Sequence, residues 1–354
     1  MKKKILIVCP HLNLKGGVAN YYRTIKNNYS SDKFELSYFY LSPLGGSKGM
    51  ISTISSLLWQ YLSFFKSLSG KDEVLLNPSL QKNALPRDFI FYLISKLFGK
   101  DVTILIHGWD LNYQNKISNS TLLKKTYRSM FSNSRVFALA SEFCDYINHL
   151  CRKEVAQRTV TFADPELFVG FDLEKEFNTL EFLYMSRITK DKGCLEAIDI
   201  FCEILKRRPD ASLSICGTGD YLEQCKEHAN RKNIGDKVRF LGFVDASEKV
   251  GILASTNITL FPTKHGEGLP ITLVESMHAG HVIISSNSGG IKDVFDGTDN
   301  LILELNKSEQ WSRETSNYVF ALTENKLIEI SKDNVRRAKE NHGINRVFEQ
   351  ILGA

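Results

Sequence analysis

The sequence predicts an α/β protein built of two doubly wound, Rossmann-like domains that face a cleft. Three observations lead to this prediction. The chain has 354 residues, which is more than one ordinary hydrophobic core holds. Strand-like apolar runs alternate with helical patterns, as they do in parallel sheets. The alternation stops near residue 160 and begins again near residue 181, so each half is expected to form a sheet of its own.

The first half opens with the apolar run Lys4–Val8, which stops before His11. This run is too short for the apolar region of a signal peptide and lacks a cleavage site, so we predict a buried parallel strand. Further strand-like runs are Phe34–Tyr40, Glu73–Leu76, Val102–Ile106 and Arg135–Leu139, with helical patterns near residues 18–28, 49–68, 86–98, 119–131 and 141–151.

A turn at Asp164-Pro165 and the polar residues up to Asn178 predict the linker between the halves. The second half then repeats the pattern. Strands are predicted at Glu181–Met185, Ser212–Cys216, Val238–Leu241, Ile258–Phe261 and Val282–Ser285, and helices at Lys192–Lys206, Tyr221–Ala229, Ser247–Ala254, Pro270–Ala279 and about Ser331–Leu352. We therefore expect domains at residues 1–165 and 166–340, with residues 341–354 as a helix end that packs back toward the first domain.

Charge is distributed unevenly along the chain. Residues 1–165 carry 22 Lys and Arg against 11 Asp and Glu, while residues 166–354 carry 23 against 29, which gives the overall +5. A basic first half favours an anionic partner, such as a membrane surface or a phospholipid-linked substrate. The sequence has no zinc module, RNP-like aromatic motif or long basic run, so no nucleic-acid partner is expected.

Cysteine content and hydropathy indicate the compartment. Seven cysteines without a CxxC motif or a Cys/His cluster favour a reducing environment and no metal site. No run of about 18 apolar residues is present, so no spanning helix is expected. The predicted location is the cytoplasm, with peripheral attachment to the inner face of the plasma membrane as a further expectation.

The most informative motif is a pair of glutamates around a predicted helix start. Pro270 suits the first turn of a helix and Gly280 its end, so Glu267 is predicted in the preceding loop and Glu275 near the second turn. A helix N-terminus offers N–H groups to an anion, and Gly268 lets a ligand approach the backbone closely. Two carboxylates beside an anion site match the hydroxyls and diphosphate of a sugar nucleotide. The alternative is an ordinary amphipathic helix with exposed glutamates.

Two motifs of the first half follow predicted strands. Gly16 and Gly17 follow the first strand, where glycines bring backbone N–H groups close to a phosphate; a plain turn is the alternative. His107 and Asp110 follow the strand Val102–Ile106, at the strand end where such sheets place ligands. We expect Asp110 to orient the imidazole or to contact the substrate; the alternative is a structural histidine at a strand end.

The second half carries three further motifs at strand ends. Arg187 and Lys192 can reach one diphosphate. The guanidinium of Arg187 can donate two parallel hydrogen bonds to it, and the ammonium of Lys192 can act as a compact positive charge. The alternative is a solvated basic turn. The run Gly217-Thr218-Gly219 lacks the third glycine of a dinucleotide fingerprint, so NAD binding is not expected. Gly242 and Phe243 end a later strand and can present backbone groups to a nucleotide base.

Together these motifs resemble the retaining, sugar-nucleotide-dependent glycosyltransferases of family 4, which have the GT-B fold. The resemblance covers nearly the whole chain and is strongest from Phe182 to Phe295. The features that carry it are Gly16-Gly17, His107 to Asp110, Arg187 with Lys192-Gly193, Gly217 to Gly219, Gly242 to Val244, and Glu267 with seven residues before Glu275. Two departures concern the sugar specificity: the interdomain segment reads Phe162 to Phe168 without the frequent Asn-Gly-Val-Asp form, and His265 stands where an aromatic-Glu pair is common.

The resemblance implies roles for the site residues. Glu275 would bind the ribose hydroxyls and Glu267 the donor sugar, while Arg187 and Lys192 would neutralise the leaving diphosphate. His107 would lie near the reacting sugar, and Asp110 is an acceptor-side candidate in an acceptor-side first domain. The implied donor-binding set is Gly16, Gly17, Gly217, Gly242, Phe243, Gly268, Leu269, Pro270 and Glu275. No cofactor and no metal are expected, because positive side chains and the helix dipole replace the metal.

The expected function is transfer of a hexose from a nucleoside-diphosphate sugar to a surface-glycan or lipid-linked saccharide acceptor. Two alternatives stay open: a nucleotide-sugar epimerase of the same fold, and an inactive nucleotide-sugar-binding subunit. Consumption of the donor without an acceptor would favour the epimerase, and the presence of both glutamates argues against the inactive subunit.

Aromatic residues beside lysines in the first half predict contact with an anionic membrane surface. They are Leu57, Leu58, Trp59, Tyr61, Leu62, Phe64 and Phe65 beside Lys66, and Phe89, Phe91, Tyr92, Leu93, Leu97 and Phe98 beside Lys96. The alternative is that both helices cover the faces of the sheet as core.

Overall fold

The computed structural model describes residues 1–14, 16–41, 50–80, 85–171 and 175–353, with the backbone alone described at 50–54, 85 and 86. Part of the predicted linker, residues 172–174, therefore lies outside the described residues, as does residue 49 of the second predicted helix. The chain divides into two compact units. Unit 1 holds Met1–Val160 and Ile344–Ala354, and unit 2 holds Thr161–Gly343.

Unit 1 is a parallel sheet with helices between its strands. Its strands are β1 (Lys3–Pro10), β2 (Phe34–Leu41), β3 (Glu73–Leu76), β4 (Asp101–Ile106), β5 (Arg135–Ala138) and β6 (Ala156–Arg158). Its helices are α1 (Gly17–Asn28), α2 (Met50–Ser67), α3 (Leu85–Leu97), α4 (Leu111–Asn119), α5 (Thr121–Ser132), α6 (Ser141–Cys151) and, from the chain end, α14 (Ile344–Gly353). The strand order is β2-β1-β3-β4-β5-β6.

Unit 2 repeats this architecture. Its strands are β7 (Glu181–Met185), β8 (Ser212–Cys216), β9 (Val238–Gly242), β10 (Ile258–Phe261), β11 (Val282–Ser286) and β12 (Leu301–Leu303). Its helices are α7 (Cys194–Leu205), α8 (Leu222–Arg231), α9 (Ala246–Ser255), α10 (Ile271–His278), α11 (Gly290–Phe295), α12 (Trp311–Ala321) and α13 (Glu324–Asn341). The strand order is β12-β11-β10-β7-β8-β9, again with parallel neighbours.

Burial explains why these runs form central strands. The residues of β3, β10 and β11 are buried throughout, because helices cover both faces of a parallel sheet and leave no solvent-facing side. Each sheet and its helices enclose a separate apolar core. The predicted fold class, two doubly wound α/β sheets, is confirmed.

The structure corrects several predicted helices and strands. The single helix expected at about Ser331–Leu352 is two helices, because α13 ends at Asn341 and α14 begins at Ile344. His342 caps the end of α13 through its N–H to Ala338 O, and its Nδ1 pairs with Thr161 O at 2.7 Å. The pattern analysis also missed α4, α11, α12, β6 and β12, which are short or only weakly amphipathic.

Candidate functional site

The strand order of unit 2 fixes where a ligand site can form. The chain runs outward from β7 through β8 to β9, then returns to place β10 on the other side of β7. A doubly wound sheet opens a crevice at such a reversal, beyond the carboxyl ends of the two strands. The loops that leave these two ends are residues 186–193 after β7 and residues 262–270 after β10. They carry Arg187, Lys192 and Glu267, three of the residues predicted for the site.

Lys192 and Glu267 meet at this crevice. The ammonium Nζ of Lys192 lies 2.5 Å from Oε1 of Glu267, and both side chains are largely buried. Oγ1 of Thr263 donates to the same carboxylate oxygen at 3.2 Å. The hydroxyl of Tyr184, on β7, donates to the carbonyl of Lys192 at 2.9 Å and holds the turn that carries Lys192 against this strand. The structure therefore brings together two residues that stand 75 positions apart in the sequence.

A second set of contacts ties the two loops to each other. The N–H of Lys264 donates to the carbonyl of Asp191 at 2.8 Å, and Nδ1 of His265 lies 2.6 Å from Oδ2 of Asp191. Burial of Asp191 works against its charged form, but hydrogen bonds from Thr189 and His265 outweigh it and hold its pKa below the ordinary value. Asp191 therefore stays a carboxylate that pairs with His265. Sequence reasoning missed Asp191, since a charged Lys-Asp-Lys run in the sequence gives no signal of this contact.

Gly193 permits the close approach of the two loops. Its φ is +81°, in the left-handed region that glycine occupies readily. A Cβ at this position would lie 1.9 Å from the carbonyl oxygen of Pro262. Only glycine therefore lets the turn that carries Lys192 pass so close to the end of β10.

Arg187 occupies the same turn but differs in its surroundings. Its side chain is exposed, and the described part of the chain offers it no ion-pair partner. A guanidinium in this position can donate two parallel hydrogen bonds to a phosphate without first breaking an internal pair. Arg187 and Lys192 thus present one available and one paired cation at the same strand end.

Glu275 is the most deeply buried of the predicted site residues. It lies in the second turn of α10 with 1% of its surface exposed, and its Oε1 accepts from Nζ of Lys249 at 2.8 Å. Lys249, on α9, was not predicted, although a buried carboxylate requires a counter-charge. No spacing in the sequence identifies which lysine supplies it. The prediction that Glu275 lies near the second turn of a helix agrees with this geometry.

The start of α10 agrees with the expected anion site in its geometry. Pro270 precedes the first helical residue, Ile271, and none of the described side chains caps this turn. Gly268 and Leu269 are buried beneath it, and the N–H of Glu267 donates to Ser288 Oγ at 3.4 Å. The first N–H groups of the helix have no intrahelical acceptor, which makes them available to an anion.

The structure explains Gly217 by internal packing. Its φ is +143°, and a Cβ here would lie 1.9 Å from the carbonyl oxygen of Ser186. Its N–H donates to Gly242 O at 2.6 Å, which joins the ends of β8 and β9. Gly242 itself has a φ of +69°, and Phe243 beside it is 53% exposed. Ligand contacts of these three residues remain predictions.

In unit 1, the residues Gly16 and His107 lie beyond the carboxyl ends of β1 and β4. Gly16 precedes the first residue of α1, Gly17, with a φ of +145°. The ring of His107 packs edge-on against Tyr21 at 4.7 Å between centroids. Burial lowers the pKa of His107 to about 4, so the imidazole is neutral at physiological pH. Its Nε2 is buried and has no hydrogen-bond partner among the described residues.

Asp110 corrects one expectation. Its Oδ1 accepts from the N–H groups of Asn112 and Tyr113 at 2.9 and 3.2 Å, so this carboxylate caps α4 and does not orient His107. Aspartate is a preferred N-cap because its side chain satisfies N–H groups that the helix leaves open. Trp109, which lies between His107 and Asp110 in the sequence, is buried, and its ring stacks on that of Phe143 with 4.2 Å between the centroids.

Two features are absent from the described residues. No group of three or more His, Cys, Asp or Glu side chains in these ranges is arranged to hold a metal ion. Of the helices that the structure describes, none has both the length and the apolar character needed to cross a membrane.

Comparison with solved structures identifies the class of fold. The chain superposes on the crystal structure of Anabaena HepE in complex with UDP and glucose with a TM-score of 0.74, at 14% identity and over 99% of both chains. The protein has the GT-B fold.

Comparison with known sequences supports a glycosyltransferase family. Residues 171–329, slightly under half of the chain, match the family model described as glycosyl transferases group 1. The amylovoran biosynthesis glycosyltransferase AmsK of Erwinia amylovora is 28% identical over 56% of this chain and 50% of its own length. The phosphatidyl-myo-inositol mannosyltransferase of Mycobacterium tuberculosis is 28% identical over 39% of this chain and 36% of its own. The matches thus span a third to a half of these curated relatives.

Proposed function

We propose that this protein is a retaining glycosyltransferase of the family 4 type, which transfers a hexose from a nucleoside-diphosphate sugar to a surface-glycan or lipid-linked saccharide acceptor. It works without a metal ion, in the cytoplasm, at the inner face of the plasma membrane. The donor binds in unit 2, and His107 is a catalytic residue.

The observation that carries the proposal is the set of charges at the reversal between β7 and β10. Lys192 and Glu267 lie 2.5 Å apart there, with the exposed Arg187 on the same turn. The uncapped start of α10 follows within the same loop. Cations and helix N–H groups together match a diphosphate, and the carboxylate matches sugar hydroxyls.

The chemistry assigns a task to each of these groups. As the bond between the sugar and the diphosphate breaks, negative charge grows on the diphosphate and the sugar gains oxocarbenium character. Arg187, Lys192 and the N-terminus of α10 stabilise that growing negative charge, and because they are held in place beforehand they need no reorganisation. Glu267 accepts hydrogen bonds from the sugar hydroxyls while it balances Lys192. The neutral His107 offers a polar nitrogen and no full charge to the sugar.

Names of related proteins agree with a nucleotide-sugar donor and a membrane-linked acceptor. The HepE structure holds UDP and glucose, and one curated relative is named a phosphatidyl-myo-inositol mannosyltransferase. These names support the proposed substrate classes and leave the particular base, sugar and acceptor to experiment.

The test begins with ligand-induced stabilisation. UDP-, GDP- and ADP-sugars are compared by thermal shift, because a ligand present at about 100 times its Kd should stabilise the native state by about 2.7 kcal/mol. We expect one base to raise the melting temperature of the wild type, and a smaller rise in Lys192→Met. No rise with any of the three would contradict the proposal.

Transfer is then measured with the stabilising donor and a lipid-linked saccharide acceptor, with and without EDTA. Formation of a glycosylated product that EDTA does not reduce is the expected result. Loss of activity on chelation with rescue by Mg²⁺ would refute metal independence. Conversion of the donor to its epimer in the absence of an acceptor would identify an epimerase, and donor binding without either reaction would identify a binding subunit.

A further inference from the structure

The outer sides of α2 and α3 in unit 1 expose a concentration of large apolar side chains. On α2 these are Leu58, Trp59, Leu62 and Phe65, whose spacing places them on one side of the helix. Trp59 is 72% exposed. Soluble proteins seldom expose contiguous apolar surface of this kind unless it serves an interaction.

The second helix continues the same surface. On and just after α3 the exposed apolar residues are Ile90, Leu93, Leu97 and Phe98. The rings of Phe65 and Phe98 meet edge-to-face at 4.7 Å between centroids, which joins the two sets. We call these eight residues the α2–α3 face. They make up half of the sixteen large hydrophobic side chains that are exposed in the described part of the chain.

The core of unit 1 does not account for the α2–α3 face. The inner sides of the two helices already pack on the sheet through Phe64 and Phe91, which are fully buried with their rings 4.7 Å apart. Phe39 of β2 and Tyr61 contact the same ring of Phe91. The alternative that both helices serve as core therefore holds for their inner sides only.

The accessible charges on the two helices that carry the α2–α3 face have one sign. Lys66 lies in the last turn of α2 and Lys96 in the last turn of α3. The sequence of α2 contains no Asp or Glu, and that of α3 contains only Asp88. Asp88 is buried, and its Oδ1 accepts from Nε of Arg87 at 2.8 Å.

We propose that the α2–α3 face docks unit 1 onto an anionic lipid bilayer. Aromatic and aliphatic side chains enter the boundary between headgroups and acyl chains, and the neighbouring lysines contact anionic headgroups. A second copy of this chain is a poorer occupant, since two such faces would bring Lys66 and Lys96 against the same lysines, and neither helix carries an exposed carboxylate to pair with them. The inference stands on unit 1 alone and does not depend on the glycosyltransferase proposal.

Trp59 provides a direct readout of docking. The other two tryptophans, Trp109 and Trp311, are buried, so a change in the polarity around an exposed indole reports Trp59. The full-length protein is mixed with vesicles of phosphatidylcholine containing about 30% phosphatidylglycerol, or with pure phosphatidylcholine, at low salt. We expect co-sedimentation and a blue shift of the emission with the anionic vesicles only. High salt, about 0.5 M, should weaken the binding because it screens the lysines. Trp59→Phe should co-sediment without the shift.

Substitutions on and off the face test its identity. The triple variant Trp59→Ser, Leu62→Ser and Leu97→Ser should partition about 100-fold more weakly, because three large exposed apolar side chains no longer move from water into the bilayer. Lys66→Gln with Lys96→Gln should weaken it roughly 30-fold. Leu122→Ser, at an exposed leucine of α5, is the matched control and should bind as the wild type does.

Three outcomes would overturn the proposal. The first is no sedimentation of the wild type at low salt, and the second is equal binding by the triple serine variant. The third is a wild-type dimer in light scattering that becomes a monomer in the triple variant, which would make the face a contact between copies. Circular dichroism of each variant shows that its fold is intact.

Discussion

Replacement of Glu275 tests the physical basis of the site most sharply, because this residue serves both the fold and the proposed donor. Its carboxylate is 99% removed from solvent and pairs with Lys249 at 2.8 Å. Sequence reasoning predicts that Glu275→Ala weakens donor binding far more than it disturbs the fold. The buried ion pair leads to a different expectation: the alanine variant should lose stability as well.

The magnitude follows from the charge that remains. Removal of one partner from a buried ion pair costs about 3–5 kcal/mol, because the other charge stays buried without compensation. The side chain of Lys249 keeps 18% of its exposure and can partly reach solvent, so the lower end of that range applies. A loss of about 3 kcal/mol should lower the melting temperature by roughly 6–12 °C in a unit of this size.

Two further variants separate stability from binding. Lys249→Met in the Glu275→Ala background removes the stranded charge and should restore most of the stability without restoring donor binding. Glu275→Gln keeps the size and an acceptor oxygen but loses the charge that strengthens a hydrogen bond from a ribose hydroxyl. Its donor affinity should fall roughly ten- to hundredfold, at a smaller cost in stability than that of the alanine variant.

Scanning calorimetry measures the stability of the four proteins, and titration calorimetry measures donor affinity. An unchanged melting temperature in Glu275→Ala would refute the account of the buried pair. Wild-type donor affinity in Glu275→Gln would refute the ribose contact independently of the stability result.

Three other predictions follow from the same geometry. Arg187→Ala should slow turnover at unchanged melting temperature, whereas full activity in this variant would remove the guanidinium from the mechanism. The free energy of unfolding should decrease as the pH is lowered from about 6.5 to 4. Burial lowers the pKa of His107 to about 4 and that of His281 to about 3, so both imidazoles stay neutral in the folded protein while the unfolded chain takes up both protons. His107→Gln should reduce the slope of an unfolding series by about 1.4 kcal/mol per pH unit, and an unchanged slope would contradict the shift. Gly193→Ala should unfold at a much lower denaturant concentration than Gly242→Ala; both have positive φ, but only the first meets backbone, and equal losses would show that the clash is relieved.

The central strands were predictable because their signal is local, whereas the short edge strands β6 and β12 were missed. Central strands of a parallel sheet are apolar on both faces, so Glu73–Leu76 and Ile258–Phe261 have the same bounds in the sequence and in the structure. Helix α4 was missed because only Tyr113 and Ile117 are buried along it and its other positions are polar apart from the exposed Leu111. The residue that marks the start of α4 is Asp110. Aspartate is common both at helix N-caps and in ligand sites, and the sequence analysis assigned Asp110 to a ligand site.

The candidate site was predictable in its residue types and not in its pairings. A glycine or a cation at a strand end is a signal that the sequence carries, and the ends of β4, β7, β8 and β10 were correctly predicted. The pairing of Lys192 with Glu267 depends on β10 returning to lie beside β7, which no local pattern specifies. The pairing of Lys249 with Glu275 likewise depends on the packing of α9 against its neighbours.

Gly193 shows how the fold places a site residue that the sequence assigns to a helix. The pattern predicts that this helix begins at Lys192, yet the structure has a short 3-10 turn over Lys190–Lys192 and begins α7 at Cys194. Gly193, in the left-handed conformation, ends this turn. Because it has no Cβ, the carbonyl oxygen of Pro262 can lie close to it, where a Cβ would be only 1.9 Å away. Lys192 is therefore held in the loop that faces the end of β10, and its ammonium reaches Glu267. The same close approach recurs at Gly217 against Ser186, so glycines that resemble phosphate-binding residues here hold the site's loops together.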